Sequence, residues 1–449
     1  MSNRLKGVPL IGHEEDDHSD WFVDAILKKV GWIGGRDWSM VDGNLIWDMR
    51  WRRHFFLCEL RVVNNLHSIH GGFIVFMDKE KEKPYSKTCD YTNGRWVHDM
   101  RGPLYNGTTC SNIKNTRNCR VNGRPDTNYL YWRWKPNECH VPTFEPNTFL
   151  KLIKNMNIVF VGDSLANNQF ESLVCLLSTI SIPQRIPKED TLSTYYFASH
   201  NASLTLYWSP FLVKGDQRTK GGTPYNKIYL DKVNEKWAKY VDQMDLIVLS
   251  FGHWMDVPSI YYEGDSVIGC FRCREFKLKY TDIGFYVAMR KALRITLNMI
   301  IERKVTKGNG IDLIVRTYSP THFEGGWDKG GTCSKTEPYG PEEKKLEGMD
   351  AKIRSLEMEE LESVKEKAKQ YGLNLDVLDI TKLSSLRSDG HAGAYMNHFP
   401  FANGTPNNVQ NDCVHWCLPG VVDAWNEIFL ETIKKWKERP KVKTDIFLI

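Results

Sequence analysis

Short apolar runs alternate with helical patterns over most of the last two thirds of the 449-residue chain. The runs are continuous and rich in Val and Ile, which is typical of strands buried on both faces. Helical stretches follow or separate them, so the pattern predicts an α/β fold with a parallel sheet flanked by helices. The predicted strands are 157–162, 245–251, 312–319 and 374–380, and the predicted helices are 166–178, 284–303, 343–371 and 421–436.

The chain before residue 145 lacks this alternation. Residues 1–87 show no clear period, and we interpret them as a poorly defined N-terminal region. Residues 88–142 are rich in Cys, Gly, Pro and Asn but poor in core-forming residues. Such a stretch needs covalent staples, which favours disulfides and a secretory compartment. We therefore predict three parts, which are the N-terminal region, the Cys-rich segment 88–142 and a main domain over 145–437.

Charge and hydropathy narrow the class of protein. Lys and Arg total 60 against 55 for Asp and Glu, an excess too small and scattered to indicate a nucleic-acid partner. No stretch reaches the ~18 apolar residues of a membrane-spanning helix, and the first residues lack the apolar core of a signal peptide. No targeting segment is therefore visible in the sequence. Glycosylation sequons begin at Asn106, Asn201 and Asn403, as in a glycoprotein.

Zinc binding is the rival explanation for the eleven cysteines. The cysteines of the Cys-rich segment lack the paired spacing of a zinc site. Cys270 and Cys273 do form a C-x-x-C pair, but one isolated pair is at best half of a site. We therefore expect no bound metal.

A Gly-Asp-Ser triplet ends the first predicted strand, in FVGDSLANNQ, residues 160–169. Ligands of open parallel sheets bind at the carboxyl ends of the strands. The free N–H groups of a helix that begins there can also stabilise a developing oxyanion. Ser164 is thus a candidate nucleophile, and the alternative is an ordinary strand-to-helix turn.

A nucleophilic serine needs a base, and usually an acid that orients the base. Asp412 and His415 are three residues apart, just before the last predicted helix. In a helical turn they would face the same way, so that Asp412 holds one imidazole nitrogen and the other faces Ser164. His253 and His391 also follow predicted strands and compete for the role of base. The alternative for the Asp-x-x-His pair is an exposed pair without function.

Several separated stretches over about residues 88–437 resemble the plant trichome-birefringence-like proteins, a family of polysaccharide O-acetyltransferases. The stretches are CDYTNGRWVHD, CRVNGRPDTNYLYWRWKPNEC, IVFVGDSLANNQFESLVCLL, SFGHW, THFEGGWDKGGTC and DCVHWCLPGVVDAWNEIF. The resemblance implies a GDSL/SGNH hydrolase-like fold with the Cys-rich segment packed on it. It also implies a catalytic triad of Ser164, His415 and Asp412.

The resemblance implies further features. The disulfides it implies are Cys89–Cys139 and Cys110–Cys175. A third pair, of Cys333 with Cys413 or Cys417, is an interpretation, and the partners of the other cysteines stay open. The family usually sits in the Golgi, facing the lumen, behind an N-terminal anchor that this sequence does not display. Asn167 stands where the family commonly has Arg, and we expect this change to alter substrate binding or lower activity.

The implied reaction moves an acetyl group from a small donor, with acetyl-CoA as one candidate, to a hydroxyl of a hemicellulose such as xylan, xyloglucan or mannan. No bound cofactor is expected. The N–H groups of Ser164 and Gly252 would form the oxyanion hole. Trp132, Trp134 and Trp254 are candidate sugar platforms, with core packing the alternative for each. Two other functions stay open, a carbohydrate acetylesterase with water as acceptor and a non-catalytic protein that binds cell-wall polysaccharide.

Overall fold

The computed structural model describes residues 44–52, 55–64, 67–76, 89–219, 221–307, 312–404, 409–438 and 446–448. The chain divides into two compact units, of which one comprises 1–86 and 440–449 and the other 87–439. In the first unit an antiparallel sheet has the order β1-β2-β3-β19. Its strands are β1 Asn44–Arg52, β2 Phe55–Asn64, β3 His67–Phe76 and β19 Ile446–Leu448. Much of the region that we interpreted as poorly defined lies outside the described residues.

The second unit carries the predicted alternation of strands and helices. Its strands are β4 Gly94–His98, β5 Trp132–Pro136, β6 Asn157–Gly162, β7 Gln184–Arg185, β8 Ser193–Phe197, β9 Ala202–Trp208, β10 Val213–Asp216, β11 Asn226–Val233, β12 Leu246–Ser250, β13 Ser259–Glu263, β14 Ser266–Phe271, β15 Asp312–Arg316, β16 Leu375–Leu378, β17 His391–Gly393 and β18 Asp412–Trp416. Its helices are α1 Pro146–Leu152, α2 Ser164–Ser178, α3 Glu235–Ala238, α4 Phe285–Lys307, α5 Gly348–Gln370, α6 Thr381–Ser385 and α7 Val421–Glu438.

A seven-stranded sheet in the order β16-β15-β12-β6-β9-β8-β7 forms the centre of this unit. The first five strands are parallel, and β8 and β7 complete the sheet in antiparallel pairing. Along β6, Ile158 and Phe160 join one buried cluster with α2 and α7, whereas Val159 and Val161 join a second cluster with α4 and α5. Because both faces are covered by helices, the strand reads as a continuous apolar run. The predicted α/β fold with helices on both faces of a parallel sheet is confirmed.

The sequence pattern missed two parts of this unit. The parallel strand β9 lies beside β6, and its polar Ser203 and Thr205 interrupt the apolar run on which the strand prediction depended. A second sheet, in the order β10-β11-β13-β14, was also not predicted. The helix predicted over 343–371 begins at Gly348, because the chain before it forms turns.

Five disulfides join ten cysteines of the second unit. The pairs are Cys89–Cys139, Cys110–Cys175, Cys119–Cys417, Cys270–Cys273 and Cys333–Cys413. The first two are the pairs that the family resemblance implied. The C-x-x-C pair forms its own disulfide, so it does not supply half of a zinc site. None of the described helices combines the length and apolar composition needed to cross a membrane.

Candidate active site

Ser164 is the first residue of α2, at the carboxyl end of the central strand β6. Every residue from Ile158 to Leu177 is buried except Ser164, which is half-buried. The Asp163 side chain caps the helix by accepting the Leu165 backbone N–H at 2.9 Å. The fold thus presents a single hydroxyl at a helix N-terminus, where free N–H groups favour negative charge.

Asp412 and His415 lie in strand β18, and the predicted helical turn is therefore wrong. Regular strand alternation would place residues three apart on opposite faces. The pairing of β18 with β17 contains a register shift, and the Asp412 carboxylate accepts the backbone N–H groups of Val414 at 3.0 Å and His415 at 2.9 Å. This local turn brings Nδ1 of His415 to 2.7 Å from Oδ2 of Asp412.

The electrostatics of the pair suit a general base. Burial opposes ionisation of Asp412, but hydrogen bonds from the ring and backbone of His415 outweigh burial and hold the pKa of this carboxyl below its usual range. The ionised carboxylate accepts a hydrogen bond from Nδ1–H of His415, so Nε2 is the ring nitrogen that can accept a proton from another group. Nε2 of His415 is buried and has no hydrogen-bond partner among the described residues.

Side-chain contacts hold the first turn of α2 against β18. The Trp416 backbone N–H donates to Oδ1 of Asn168 at 2.8 Å, and Nδ2 of Asn168 donates to the Trp416 carbonyl at 3.3 Å. Asn168 is one turn beyond Ser164, and Trp416 follows His415. The structure therefore brings together the two elements that carry the predicted nucleophile and base.

The Cys-rich segment contributes a buried cation to the same place. Arg117 donates to the Ser164 backbone carbonyl at 2.9 Å and to the Glu171 carboxylate at 2.8 Å. Its own carbonyl accepts the Leu418 N–H at 2.9 Å, shortly after β18. Sequence analysis missed this role, because a stretch without periodicity does not indicate which residues a buried Arg side chain contacts.

The competing histidines are less suited to act as bases. His253 is half-buried and stacks on the Tyr318 ring, and loss of solvent around the imidazole lowers its pKa to about 4. His391 contacts the His322 ring at 2.7 Å and the His415 backbone carbonyl at 3.0 Å, and burial lowers the pKa of His391 to about 3. Neither ring has a carboxylate hydrogen-bond partner in the described part of the chain. His391 instead supports the backbone of His415.

Gly252 lies two residues beyond β12, whose Ser250 pairs with Gly162 of β6. Its φ is +139°, and a Cβ built on it would lie 2.8 Å from the Tyr318 ring. Both the backbone conformation and the close approach require glycine here. The backbone therefore passes near the Ser164 turn, which is compatible with a second oxyanion donor, and that role stays a prediction.

The candidate sugar platforms differ in their exposure. The prediction for Trp134 is wrong, because its ring is only 3% exposed in the core and packs edge-on against Trp96. Trp132 is half-buried against the same core in the Cys-rich segment. Trp254 is half-buried just after β12, with its ring edge-on to Trp208 at 6.0 Å.

Trp208 is a candidate that sequence analysis missed. It ends β9 and pairs in register with Gly162, two residues before Ser164. Its identification required β9 to be recognised as a strand. Trp208 and Trp254 thus lie at the carboxyl ends of the two strands that flank β6, and their rings contact each other.

Two further expectations concern charge and metals. Asn167, which replaces the family's usual Arg, is buried in the first turn of α2. Its effect on activity stays a prediction. Nowhere in the described ranges do three or more His, Cys, Asp or Glu side chains converge so that they could hold a metal ion.

Glu357 of α5 is buried beside the backbone of Tyr318, and it predicts how the stability of the fold depends on pH. Its Oε2 accepts the Tyr318 backbone N–H at 2.9 Å, and burial raises the pKa of Glu357 from its ordinary 4.5 to about 8. Between these values the folded protein keeps a proton that the unfolded chain has released. The free energy of unfolding should therefore fall by about 1.4 kcal/mol per pH unit from this group. Glu357→Gln should abolish this decrease of the free energy of unfolding with pH. The measurement is urea unfolding of both proteins at pH 5.5, 7 and 8.5.

The exposed Glu362 on the same helix provides a matched control. Glu362→Gln should follow the wild-type dependence on pH. A parallel loss of stability in the wild type and Glu357→Gln would show that Glu357 does not hold the proton.

Two family models match the chain. A model of the GDSL/SGNH-like acyl-esterase family found in Pmr5 and Cas1p (PC-esterase) matches residues 141–432. A model of the PMR5 N-terminal domain matches residues 87–140. The first match spans more than half of the chain and contains the Ser164 turn and the Asp412–His415 pair.

Curated plant proteins are similar over most of their length. The chain is 54% identical to xyloglucan O-acetyltransferase 1 of Populus trichocarpa over 353 residues, which are 78% of this chain and 82% of the relative. It is 47% identical to xyloglucan O-acetyltransferase 1 of Arabidopsis thaliana, with 78% and 81% covered. It is 39% identical to protein trichome birefringence-like 26 of Arabidopsis thaliana, with 77% of each chain covered.

Proposed function

Because this chain belongs to the PC-esterase family, we propose that it is a polysaccharide O-acetyltransferase whose acceptor is the hemicellulose xyloglucan. One geometric observation supports the chemistry most directly. His415 is held at 2.7 Å by the Asp412 carboxylate, while its other ring nitrogen is buried and without a hydrogen-bond partner in the described structure. A neutral imidazole in this state can accept a proton from a hydroxyl.

The first half-reaction forms an acetyl-serine. Nε2 of His415 takes the proton of the Ser164 hydroxyl as Oγ forms a bond to the acetyl carbon of the donor. The negative charge on the acetyl oxygen is stabilised by N–H groups at the start of α2, with Gly252 as a second donor. When the tetrahedral intermediate collapses, the bond to the leaving group breaks, and His415 returns the proton to that group.

The second half-reaction transfers the acetyl group to the polysaccharide. A sugar hydroxyl enters where the leaving group departed, and His415 removes its proton as the new ester bond forms. The bond between Oγ of Ser164 and the acetyl carbon then breaks, and the proton on His415 returns to Oγ. Ionised Asp412 stabilises the imidazolium that forms in each half-reaction.

The donor and the compartment are further parts of the proposal. An activated acetyl ester or thioester supplies the leaving group that the first half-reaction needs, and acetyl-CoA is the first donor to test. Five disulfides in the described part of the chain favour an oxidising compartment. We propose that the compartment is the Golgi lumen, because the family that this chain resembles usually faces that lumen.

Xyloglucan is proposed over xylan and mannan because the relatives that are 47–54% identical carry this substrate in their names. Trp208 and Trp254 form an edge-on pair of indole rings at the carboxyl ends of β9 and β12, the two strands beside the one that ends at the Ser164 turn. Indole rings offer flat apolar faces that stack on the C–H faces of sugars. We therefore assign these two residues, rather than Trp134, to the acceptor side of the site.

Transfer should predominate over hydrolysis when the acceptor is saturating. An acetyl-serine partitions between water at ~55 M and a bound hydroxyl whose effective molarity reaches ~10⁵ M when well oriented. The purified protein should therefore accumulate polymer-bound acetate, with little free acetate. The measurement uses radiolabelled acetyl donor with deacetylated xyloglucan, xylan and glucomannan, and it compares the label in polymer with the label in free acetate.

The same assay separates the competing functions. Free acetate as the main product with every polymer would identify an esterase and contradict the transferase. Absence of both products, with retained binding of xyloglucan, would indicate a non-catalytic binding protein. Efficient acetylation of xylan or glucomannan but not of xyloglucan would overturn the choice of acceptor while leaving the reaction intact.

A further inference from the structure

With 65% of its surface accessible, Trp327 is more exposed than any other Phe, Tyr or Trp side chain that the structure describes between residues 89 and 438. It lies in a short 3-10 turn, Trp327–Lys329, in the connection between β15 and α5. An indole that stays in water contributes no hydrophobic stabilisation to the fold, and Trp is enriched among the residues that carry most of the binding energy at interfaces. The position therefore invites a functional explanation.

The loop that carries Trp327 has an ordered backbone. Glu324 and Thr332 pair through two backbone hydrogen bonds, of 2.6 Å and 3.1 Å, which close the loop at its base. The Gly331 N–H donates to the Gly326 carbonyl at 3.0 Å across the loop. Because the backbone of the loop is ordered, the loop loses little conformational freedom when its side chains bind a ligand.

Both ends of the loop are attached to the strand that carries the catalytic pair. Cys333 forms a disulfide with Cys413, the residue next to Asp412. At the other end, the His322 N–H donates to the Cys413 carbonyl at 3.1 Å. Trp327 and Cys333 are six positions apart, so the Trp backbone lies within about 20 Å of this attachment even if the chain between them were fully extended.

The order of strands places the tryptophans on two sides of the nucleophile. Ser164 follows β6, and Trp208 follows its neighbour β9 on one side. The loop of Trp327 follows β15, two strands away on the other side. A linear glycan that crosses the carboxyl ends of the strands can therefore contact aromatic rings both before and after the sugar that reacts.

We propose that Trp327 forms a distal acceptor subsite, in which its indole stacks on a sugar ring of the polysaccharide several units from the acetylated hydroxyl. This inference rests on the proposed function, since it assigns the polymer as the occupant. The polymer offers a sugar ring at every position along its length, whereas acetyl-CoA offers only its adenine, so a Trp327→Ala variant that raises the KM of acetyl-CoA and not that of the acceptor would overturn the assignment. The subsite would favour long acceptors over short ones, because only a long chain spans from Ser164 to the loop.

The test compares the wild type, Trp327→Ala and Trp327→Phe with xyloglucan oligosaccharides of increasing length. For acceptors long enough to reach the loop, Trp327→Ala should raise KM about tenfold with kcat little changed, since one stacking contact is lost. Short acceptors and release of acetate from the acetyl-enzyme should be unaffected. Trp327→Phe, which keeps a ring, should recover most of the affinity.

Tyr371→Ala provides the matched control, because Tyr371 is an exposed aromatic residue just before the start of β16, at the amino ends of the parallel strands and therefore opposite to the end that carries Ser164. It should leave KM unchanged for every length. A tenfold effect that is equal for short and long acceptors, or a loss of kcat alone, would overturn the distal subsite.

Binding without turnover separates this inference from the proposed function. In a Ser164→Ala background, calorimetry should show that Trp327→Ala weakens binding of long xyloglucan oligosaccharides but not of short ones. If the wild type transfers no acetyl group yet this length dependence is present, the subsite stands and the proposed reaction fails. If transfer is normal and binding is independent of Trp327, the subsite is wrong and the reaction stands.

Discussion

Ser164→Ala should lower kcat for acetyl transfer by at least about 10⁴-fold. The substitution removes Oγ, the atom that forms the ester of the acetyl-serine intermediate. It leaves the oxyanion donors and the substrate contacts in place. Because the side chain is half-buried at the start of α2, the change creates no appreciable core cavity. Single-turnover assays with labelled donor should show neither acetylated protein nor acetylated xyloglucan.

Ser178→Ala is the matched control, since Ser178 is the last residue of the same helix and is also half-buried. It should keep full activity, and the melting temperatures of both variants should stay near that of the wild type. Activity of Ser164→Ala above a tenth of the wild-type level, in a folded protein, would exclude Ser164 as the nucleophile.

Asp412→Asn should lower kcat by about 10³- to 10⁴-fold while the protein stays folded. An amide in place of the carboxylate keeps the size of the side chain, but it cannot stabilise the imidazolium of His415. The amide NH₂ group can also donate to Nδ1, which would place the proton on Nε2, the nitrogen that must accept from Ser164. The measurement is the rate of acetyl-enzyme formation, together with the melting temperature.

Asp265→Asn tests whether the loss depends on position, because Asp265 is an exposed aspartate in the turn between β13 and β14. It should retain wild-type kinetics. If Asp412→Asn stays fully active and His253→Gln or His391→Gln is inactive although folded, the base is one of those histidines and the Asp412–His415 assignment fails.

The fold was predictable where burial is uniform. Strand β6 was placed correctly from the sequence because both of its faces are covered, which leaves an unbroken apolar run between Asn157 and Asp163. Strand β9 is buried beside it, yet Ser203 and Thr205 made its run look polar. Ser203 in fact donates to the Asn157 side chain at 2.9 Å, a pairing between strands that a local pattern cannot reveal.

The site was predictable only in part for a related reason. The spacing of Asp412 and His415 correctly suggested a pair, but it did not identify the irregular strand that brings them together. Composition suggested sugar-binding tryptophans without indicating which rings are exposed, so Trp134 was chosen although it belongs to the core. Trp208 and Trp327 could be identified as candidates only from the order of the strands and from the disulfide at Cys333, which the sequence pattern does not reveal.

The Cys119–Cys417 disulfide joins residues 298 positions apart, whereas Cys110–Cys175 spans 65. During synthesis at about 5–20 residues per second, Cys119 emerges roughly 15–60 s before its partner. In that interval it is exposed to mispairing with Cys110 or Cys139, which arrive first. Maturation of this enzyme should therefore depend on post-translational thiol exchange, and chains that terminate before residue 417 should be retained as mixed disulfides with an oxidoreductase rather than reach the Golgi.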